Sequence, residues 1–286
     1  MEAAMGRHRL WMLALPLAAL GSAALWAATG SGSPAPAGPP KRIVSLNLCA
    51  DQLVLALADR DQIAGLTRNA TDAEMSGEAA KARGLTLISN SAEQILAIEP
   101  DLVVGMPARR SAAMTALKGQ DYRLLDLKTA NTVDEIYASI RETAAAVGHP
   151  ERGEALVARM QADLARLAKL GRGRVAAYYQ RRGYMTGTGT LIDELMTRAG
   201  LVNLAGKLGK PALSQLSLEE MVAARPDFLI VESATDRVSD QGTEMLHHPA
   251  LAGIPRISIP QAWTVCGSPA YVQAARGIAE QLARHD

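Results

Sequence analysis

From residue 41 onward, short apolar runs rich in β-branched residues alternate with segments whose apolar positions recur every three or four residues. The runs 42–46 (RIVSL), 63–66, 102–105 (LVVG), 122–126, 174–179, 228–231 and 256–259 predict strands. Helical spacing covers 51–58, 92–98, 133–147, 151–170, 192–199, 219–224 and 270–283, with a break at Gly148-His149-Pro150. This alternation predicts an α/β fold, with parallel sheets flanked by helices.

One stretch occurs twice. Residues 91–104 (SAEQILAIEPDLVV) match residues 217–230 (SLEEMVAARPDFLI) position by position. Each copy opens on a serine followed three residues later by Gln94 or Glu220, the pattern of a reciprocal N-terminal cap. Each helix then stops at a Pro-Asp turn that leads into a buried strand. The repeat predicts two similar lobes, covering 41–130 and 171–286, with a helical connection over 131–170. Within it, the helix at 151–170 would be about 30 Å long and would bridge the lobes. Glu93 and Glu219, at the second helical positions, are not needed for the cap and should point outward. Without a partner they would only complement the helix dipole.

The first forty residues have a different character. Arg7, His8 and Arg9 precede an uncharged apolar run over 10–28, the pattern of an export leader at 1–29. The run is close to the ~20 residues that span a bilayer, so retention as a membrane anchor is the alternative. Residues 30–40, rich in Gly, Ser and Pro, read as a linker. The whole chain of 286 residues carries 30 Lys and Arg against 29 Asp and Glu. Once Arg7, Arg9 and Glu2 are set aside the body is formally neutral, which gives no electrostatic footprint for nucleic acid. In an exported protein the two cysteines, Cys49 and Cys266, could form a disulfide or remain two buried thiols.

The opening RIVSLNLCADQLVLAL, the two SxE(Q/E)…PD segments, the stretch HPALAGIPRISIP and the Trp263 segment resemble, in order and spacing, a known family. It comprises the substrate-binding proteins of ABC importers for ferric siderophores, haem and cobalamin. The resemblance implies two Rossmann-like lobes joined by one long rigid helix, with the ligand in the cleft between them. It implies a periplasmic monomer without a cofactor and without enzymatic activity. The ligand would be an iron- or cobalt-containing chelate, and the partner the transmembrane permease of an ABC importer. Carried over onto this sequence, the permease-docking residues are Glu93 and Glu219.

A cleft at the carboxyl ends of the strands would receive loop residues from both lobes. The candidates for binding ligand are Asn47, Arg68 and Arg109 from the first lobe, and Tyr179, Arg181, Arg182, Tyr184 and Trp263 from the second. Gln180, Glu232 and Ser233 reach the same edge. Trp263, the sole Trp after residue 40, lies in a loop and is expected to stack on a flat ligand. One or two of the four arginines are expected to touch the ligand and neutralise an anionic chelate. A disulfide between Cys49 and Cys266 would tie the lobes together across the cleft.

Other readings make different demands. The stretch 186–191 (TGTGTL) has two of the glycines of a nucleotide loop but lacks the third, and lacks a GK[ST] ending. A turn opening the next helix is the expectation there. A carrier of bare zinc or manganese needs converging His and carboxylate ligands, whereas His8, His149, His247, His248 and His285 are scattered. Tyr178, Tyr179 and Tyr184 could ligate ferric iron directly. A membrane-tethered sensor or adaptor of the same fold is the remaining alternative.

Overall fold

The structure, a computed structural model, describes residues 38–117, 119, 120 and 122–285. The leader expected at 1–29 and the linker up to 37 lie outside the described residues. Pro40, assigned to that linker, is buried, and its carbonyl accepts a hydrogen bond from Gln62 Nε2 at 2.8 Å. The folded body therefore takes in the end of the expected linker.

The first half contains β1 (Ile43–Ser45), α1 (Leu48–Leu57), β2 (Ile63–Thr67), α2 (Ala79–Ala82), β3 (Leu87–Ile88), α3 (Ala92–Ile98), β4 (Leu102–Gly105), α4 (Ala112–Ala116) and β5 (Leu124–Asp126). Two helices follow, α5 (Val133–Val147) and α6 (Pro150–Ala165). The second half contains β6 (Val175–Tyr178), β7 (Tyr184–Thr186), α7 (Leu191–Arg198), β8 (Val202–Asn203), α8 (Leu204–Lys207) and β9 (Leu213–Gln215). It ends with α9 (Leu218–Ala224), β10 (Phe228–Glu232), α10 (Gln241–Glu244), β11 (Arg256–Ile259) and α11 (Tyr271–Leu282).

The strands form two separate parallel sheets, ordered β3-β2-β1-β4-β5 and β11-β10-β6-β8. This is the two-lobed α/β arrangement expected from the sequence. Every residue of β1, β4 and β10 is buried, as in strands covered by helices on both faces. A small antiparallel ribbon of β7 and β9 was not anticipated. It is built by pairing segments about thirty residues apart, so local pattern does not announce it.

The repeated segments behave alike. Ser91 and Ser217 cap α3 and α9, and both helices end on a left-handed residue, Glu99 or Arg225. The Asp of each Pro-Asp turn then ties down the first strand of its own lobe. Asp101 accepts from the backbone N–H groups of Lys41 and Arg42 at 2.6 and 2.8 Å, and Asp227 from Val175 at 2.6 Å. The reciprocal cap is complete only in the second copy, where Glu220 accepts from the Ser217 N–H. Gln94 instead accepts from the N–H and hydroxyl of Ser89. The left-handed Asn90 (φ 59°) redirects the chain between those two positions.

The bridging helix, α6, is shorter than expected. It starts on Pro150 and ends at Ala165, where Arg166 and Leu167 bond back to Asp163 and Leu164 with three-residue spacing. Its sixteen residues make it about 24 Å long. At its start Arg152 donates to the Leu57 carbonyl and to Asp59 in the first lobe. At its end Asp163 faces Arg276 of α11 in the second, at 3.8 Å.

The joint is more than one rod. A single apolar cluster runs from Ile43, Leu53 and Leu102 through Ile136, Ile140 and Met160 to Ile230, Ile257 and Ile278. Helices from both halves thus share one core, so any relative movement of the lobes must work against packed side chains. Among the described residues, no helix is long and apolar enough to cross a membrane.

Candidate functional site

Between the lobes, at the carboxyl ends of the strands, lies a cavity of about 210 Å³. Met106 after β4, Asn131 before α5, Thr190 before α7, and Thr264 and Val265 after β11 line it. At its base Cys49 and Cys266 are joined by a disulfide, with Cα atoms 5.3 Å apart. The bond connects the first turn of α1 to the loop that precedes α11, and so fastens the two lobes to one another.

A second cavity, of about 320 Å³, opens on the second lobe. Gln180, Glu232 and Gln261 line it from the ends of β6, β10 and β11. The ribbon adds Tyr184 and Leu213, which are 40% and 61% exposed, and Arg181 completes the wall. A chain of hydrogen bonds runs along its back. Glu232 Oε1 accepts from Gln180 Nε2 at 3.0 Å and from the Tyr178 hydroxyl at 3.3 Å. Tyr178 in turn lies 3.2 Å from the Thr264 hydroxyl, which belongs to the first cavity. Burial, reinforced by the negative charge of Glu232, raises the Tyr178 pKa and keeps the phenol protonated.

The sequence candidates do not all meet here. Asn47 caps α1: its Oδ1 accepts from the Ala50 N–H and its Nδ2 donates to the Met106 carbonyl, so both amide atoms serve the chain itself. Arg68 is exposed at the end of β2, and its guanidinium has no partner among the described residues. Arg109 folds back onto Asp126 at 3.1 Å. Arg181 is ion-paired with Asp240. Arg182 is an exposed turn residue with φ 58°, and its carbonyl accepts from Gln215. Two of the four arginines are therefore neutralised from within the chain.

Two aromatic assignments change. Tyr179 is fully buried in the second lobe, where its hydroxyl donates to the Leu216 carbonyl at 2.9 Å and lies 3.0 Å from the Met245 sulfur. Successive residues of a strand face opposite ways, so placing Tyr178 beneath the cleft turns Tyr179 into the core. Burial, with Glu219 and Glu220 nearby, pushes the Tyr179 pKa up to about 12. The three tyrosines therefore do not converge as a ferric site. The Trp263 indole packs over α11, so close to Gly277 that a Cβ there would stand 3.1 Å from the ring. Trp263 is partly buried at the margin of the core and lines neither cavity, whereas Tyr184 and Leu213 supply exposed apolar surface at the second one.

The TGTGTL stretch is structural. Thr190 caps α7, Gly189 has φ +73°, and a Cβ on Gly187 would lie 2.1 Å from the Pro211 carbonyl oxygen. Among the described residues, no group of three or more His, Cys, Asp or Glu could hold a metal ion.

Glu93 and Glu219 are exposed at equivalent positions of α3 and α9. The N–H of Glu93 itself and the Ser91 hydroxyl hold the Glu93 carboxyl below the usual carboxylate range. One turn further along each helix stands an exposed apolar side chain, Leu96 or Val222. Beside Glu219 a surface groove of about 610 Å³ is lined by Leu218, Val222, Ala223, Arg225 and Ala250.

Residues 43–257 match the family described as periplasmic binding protein. A vitamin B12-binding protein of Pectobacterium carotovorum subsp. carotovorum (strain PC1) is 26% identical over 257 residues, covering 85% of this chain and 88% of that one. A cobalamin-binding protein of Halobacterium salinarum is 25% identical over 206 residues, covering 70% of this chain. That alignment takes in 56% of the Halobacterium protein, so this chain spans little more than half of that relative's length. Among solved structures, the apo form of the periplasmic heme-binding protein RhuT from Roseiflexus sp. RS-1 superposes with a TM-score of 0.66 at 25% identity. That superposition covers 85% of this chain and 99% of the other. Each of these relatives is named for a ligand that it binds. With its two parallel sheets ending on one cleft, the chain belongs to the periplasmic binding protein family.

Proposed function

We propose that this protein captures a metal chelate, a ferric siderophore or a corrinoid, and delivers it to the permease of an ABC importer. It is exported by the segment 1–29, works in the periplasm as a monomer and has no cofactor of its own. The observation that carries the reading is the matched pair Glu93 and Glu219. Each stands exposed at the same position of a repeated helix, one per lobe. A two-fold permease presenting one cationic site to each lobe complements that arrangement. The relatives named for cobalamin, vitamin B12 and heme support a bulky chelate as cargo.

The cleft favours some chelates over others. Tyr184 and Leu213 offer apolar surface to a flat or compact metal complex, and beside them stand two neutral amides, Gln180 and Gln261, with Glu232 and the Asp240-paired Arg181. The test is calorimetric titration of the exported protein with cyanocobalamin, ferrioxamine B and haemin. Binding of one of them with a Kd of about 1 μM or tighter is the expected result. Failure of all three, together with stoichiometric zinc or manganese in the purified protein, would make it a carrier of bare metal. Failure of all three without metal would favour a sensor or adaptor.

A further inference from the structure

Glu232 is the last residue of β10, which lies between β11 and β6 in the second sheet. It closes an otherwise apolar strand, FLIVE, and only 6% of it is exposed. A carboxylate so buried ordinarily has a cation beside it, because charge is costly to remove from water. Among the described residues Glu232 has none. Arg181, on the same cavity wall, is taken by Asp240.

What holds Glu232 is neutral. Its Oε1 accepts from Gln180 and Tyr178. Both donors are aimed by a further partner. The Thr186 hydroxyl donates to Gln180 Oε1 at 3.3 Å, which leaves Nε2 to face Glu232. Thr264 lies against the Tyr178 hydroxyl. Oε2 makes no hydrogen bond among the described residues, and the side chain lines the 320 Å³ cavity. A buried carboxylate fixed through one oxygen, with the other left over at a cavity, is an acceptor awaiting a donor.

We infer that Glu232 is the specificity-determining residue of the cleft: its free oxygen accepts an N–H from the rim of the ligand and repels a rim carboxylate. This rests on the chelate reading above and narrows it. Two rim groups share the chemistry, a carboxamide as on a corrinoid and an ammonium as on the tail of a hydroxamate chelate. A dicarboxylate such as haem is disfavoured on this wall, contrary to the anionic cargo that the arginines suggest when counted in sequence.

The test pairs ligands that differ only at the rim. Wild-type protein, E232Q and E232D are titrated with cyanocobalamin and its b-, d- and e-monocarboxylic acids, and with ferrioxamine B and its N-acetyl form. If the partner is a carboxamide, at least one monoacid binds the wild type about tenfold or more weakly than the parent. If it is an ammonium, N-acetylation causes the loss instead. In either case E232Q brings the ratio to within about threefold, and E232D, which keeps the charge, preserves its direction. Thermal melts establish that each variant is folded. Binding of a parent chelate with no discrimination in the wild type, or with the same ratio in folded E232Q, overturns the inference and leaves the chelate reading standing. If neither parent chelate binds the wild type, the inference falls, and with haemin also unbound the chelate reading falls with it.

Discussion

Cys49 and Cys266 stand 217 positions apart in the chain and are bonded to each other at the floor of the cleft, with Cα atoms 5.3 Å apart. One lies in α1 of the first lobe, the other in the loop leading to α11 of the second. A cross-link closing so long a loop restricts the unfolded chain strongly, by about 5 kcal/mol in the chain-entropy account. The native state leans on it less, because one apolar core already joins the lobes. The double variant C49S/C266S should therefore keep its fold by circular dichroism and lose about 2–5 kcal/mol of stability in urea titration. A loss below about 1 kcal/mol would show that residual structure in the unfolded chain already brings the two ends together.

Asp51, on α1, is fully buried against the first sheet and has no cation beside it among the described residues. Its carboxylate accepts from the N–H and the hydroxyl of Thr67. Burial raises its pKa, and the hydrogen bonds from Thr67 and Ser45 offset that only in part. The folded protein thus holds this proton more tightly than the unfolded chain does. Between the unfolded carboxyl value of about 3.9 and the raised folded value, stability falls as pH rises, and above that window the full cost is present. D51N keeps the shape and removes the charge, so its urea midpoint should exceed that of the wild type at pH 8, with the gap closing toward pH 4. D51A should lose about 1–3 kcal/mol at both pH values, since Thr67 is left unpaired.

The parts of the fold legible in the sequence are those fixed by neighbours along the chain. The Ser caps and the Pro-Asp turns lie within about fourteen residues, and α3, β4, α9 and β10 emerge close to their predicted limits. What escaped depends on which way a strand faces and on pairing at a distance. Tyr178 and Tyr179 are adjacent and alike in composition, yet one touches the cleft network and the other the core. The β7–β9 ribbon brings Tyr184 and Leu213 to one cavity across nearly thirty residues. Arg109 and Arg181 looked available because Asp126 and Asp240 are distant in sequence. Glu232 did carry a signal, an acid at the end of an apolar strand, but only its missing cation gives that signal meaning.

Trp263 separates packing from recognition. Its ring sits on Gly277 of α11 beside Ile259, at the margin of the main core. W263F should cost roughly 1–3 kcal/mol of stability by leaving the space over α11 partly filled. Chelate affinity should stay within about twofold of the wild type, since the ring is committed to the helix. Calorimetric titration and urea denaturation of the same preparation decide the matter. An affinity loss of about tenfold with unchanged stability would return the indole to the ligand.

Glu93 and Glu219 permit a separation of delivery from capture. Neither takes part in a reciprocal cap; in the second lobe that task falls to Glu220, bonded to the Ser217 N–H and to Lys210. Replacing Glu93 and Glu219 with Ala should therefore leave stability nearly unchanged, since each exposed carboxylate does no more than complement a helix dipole that solvent screens. Both side chains stand on the exposed faces of short helices, outside the residues that line the two cleft cavities. The E93A/E219A variant should bind its chelate with unchanged Kd, yet fail to support uptake in cells or to stimulate ATP hydrolysis by the reconstituted permease. Each single variant should fall between, because one lobe still engages. Leu96 and Val222, one turn along the same faces, widen the contact, and L96D/V222D should impair uptake in the same manner. Weakened chelate binding in E93A/E219A would place the acids in ligand capture instead, and normal uptake would remove them from the permease contact.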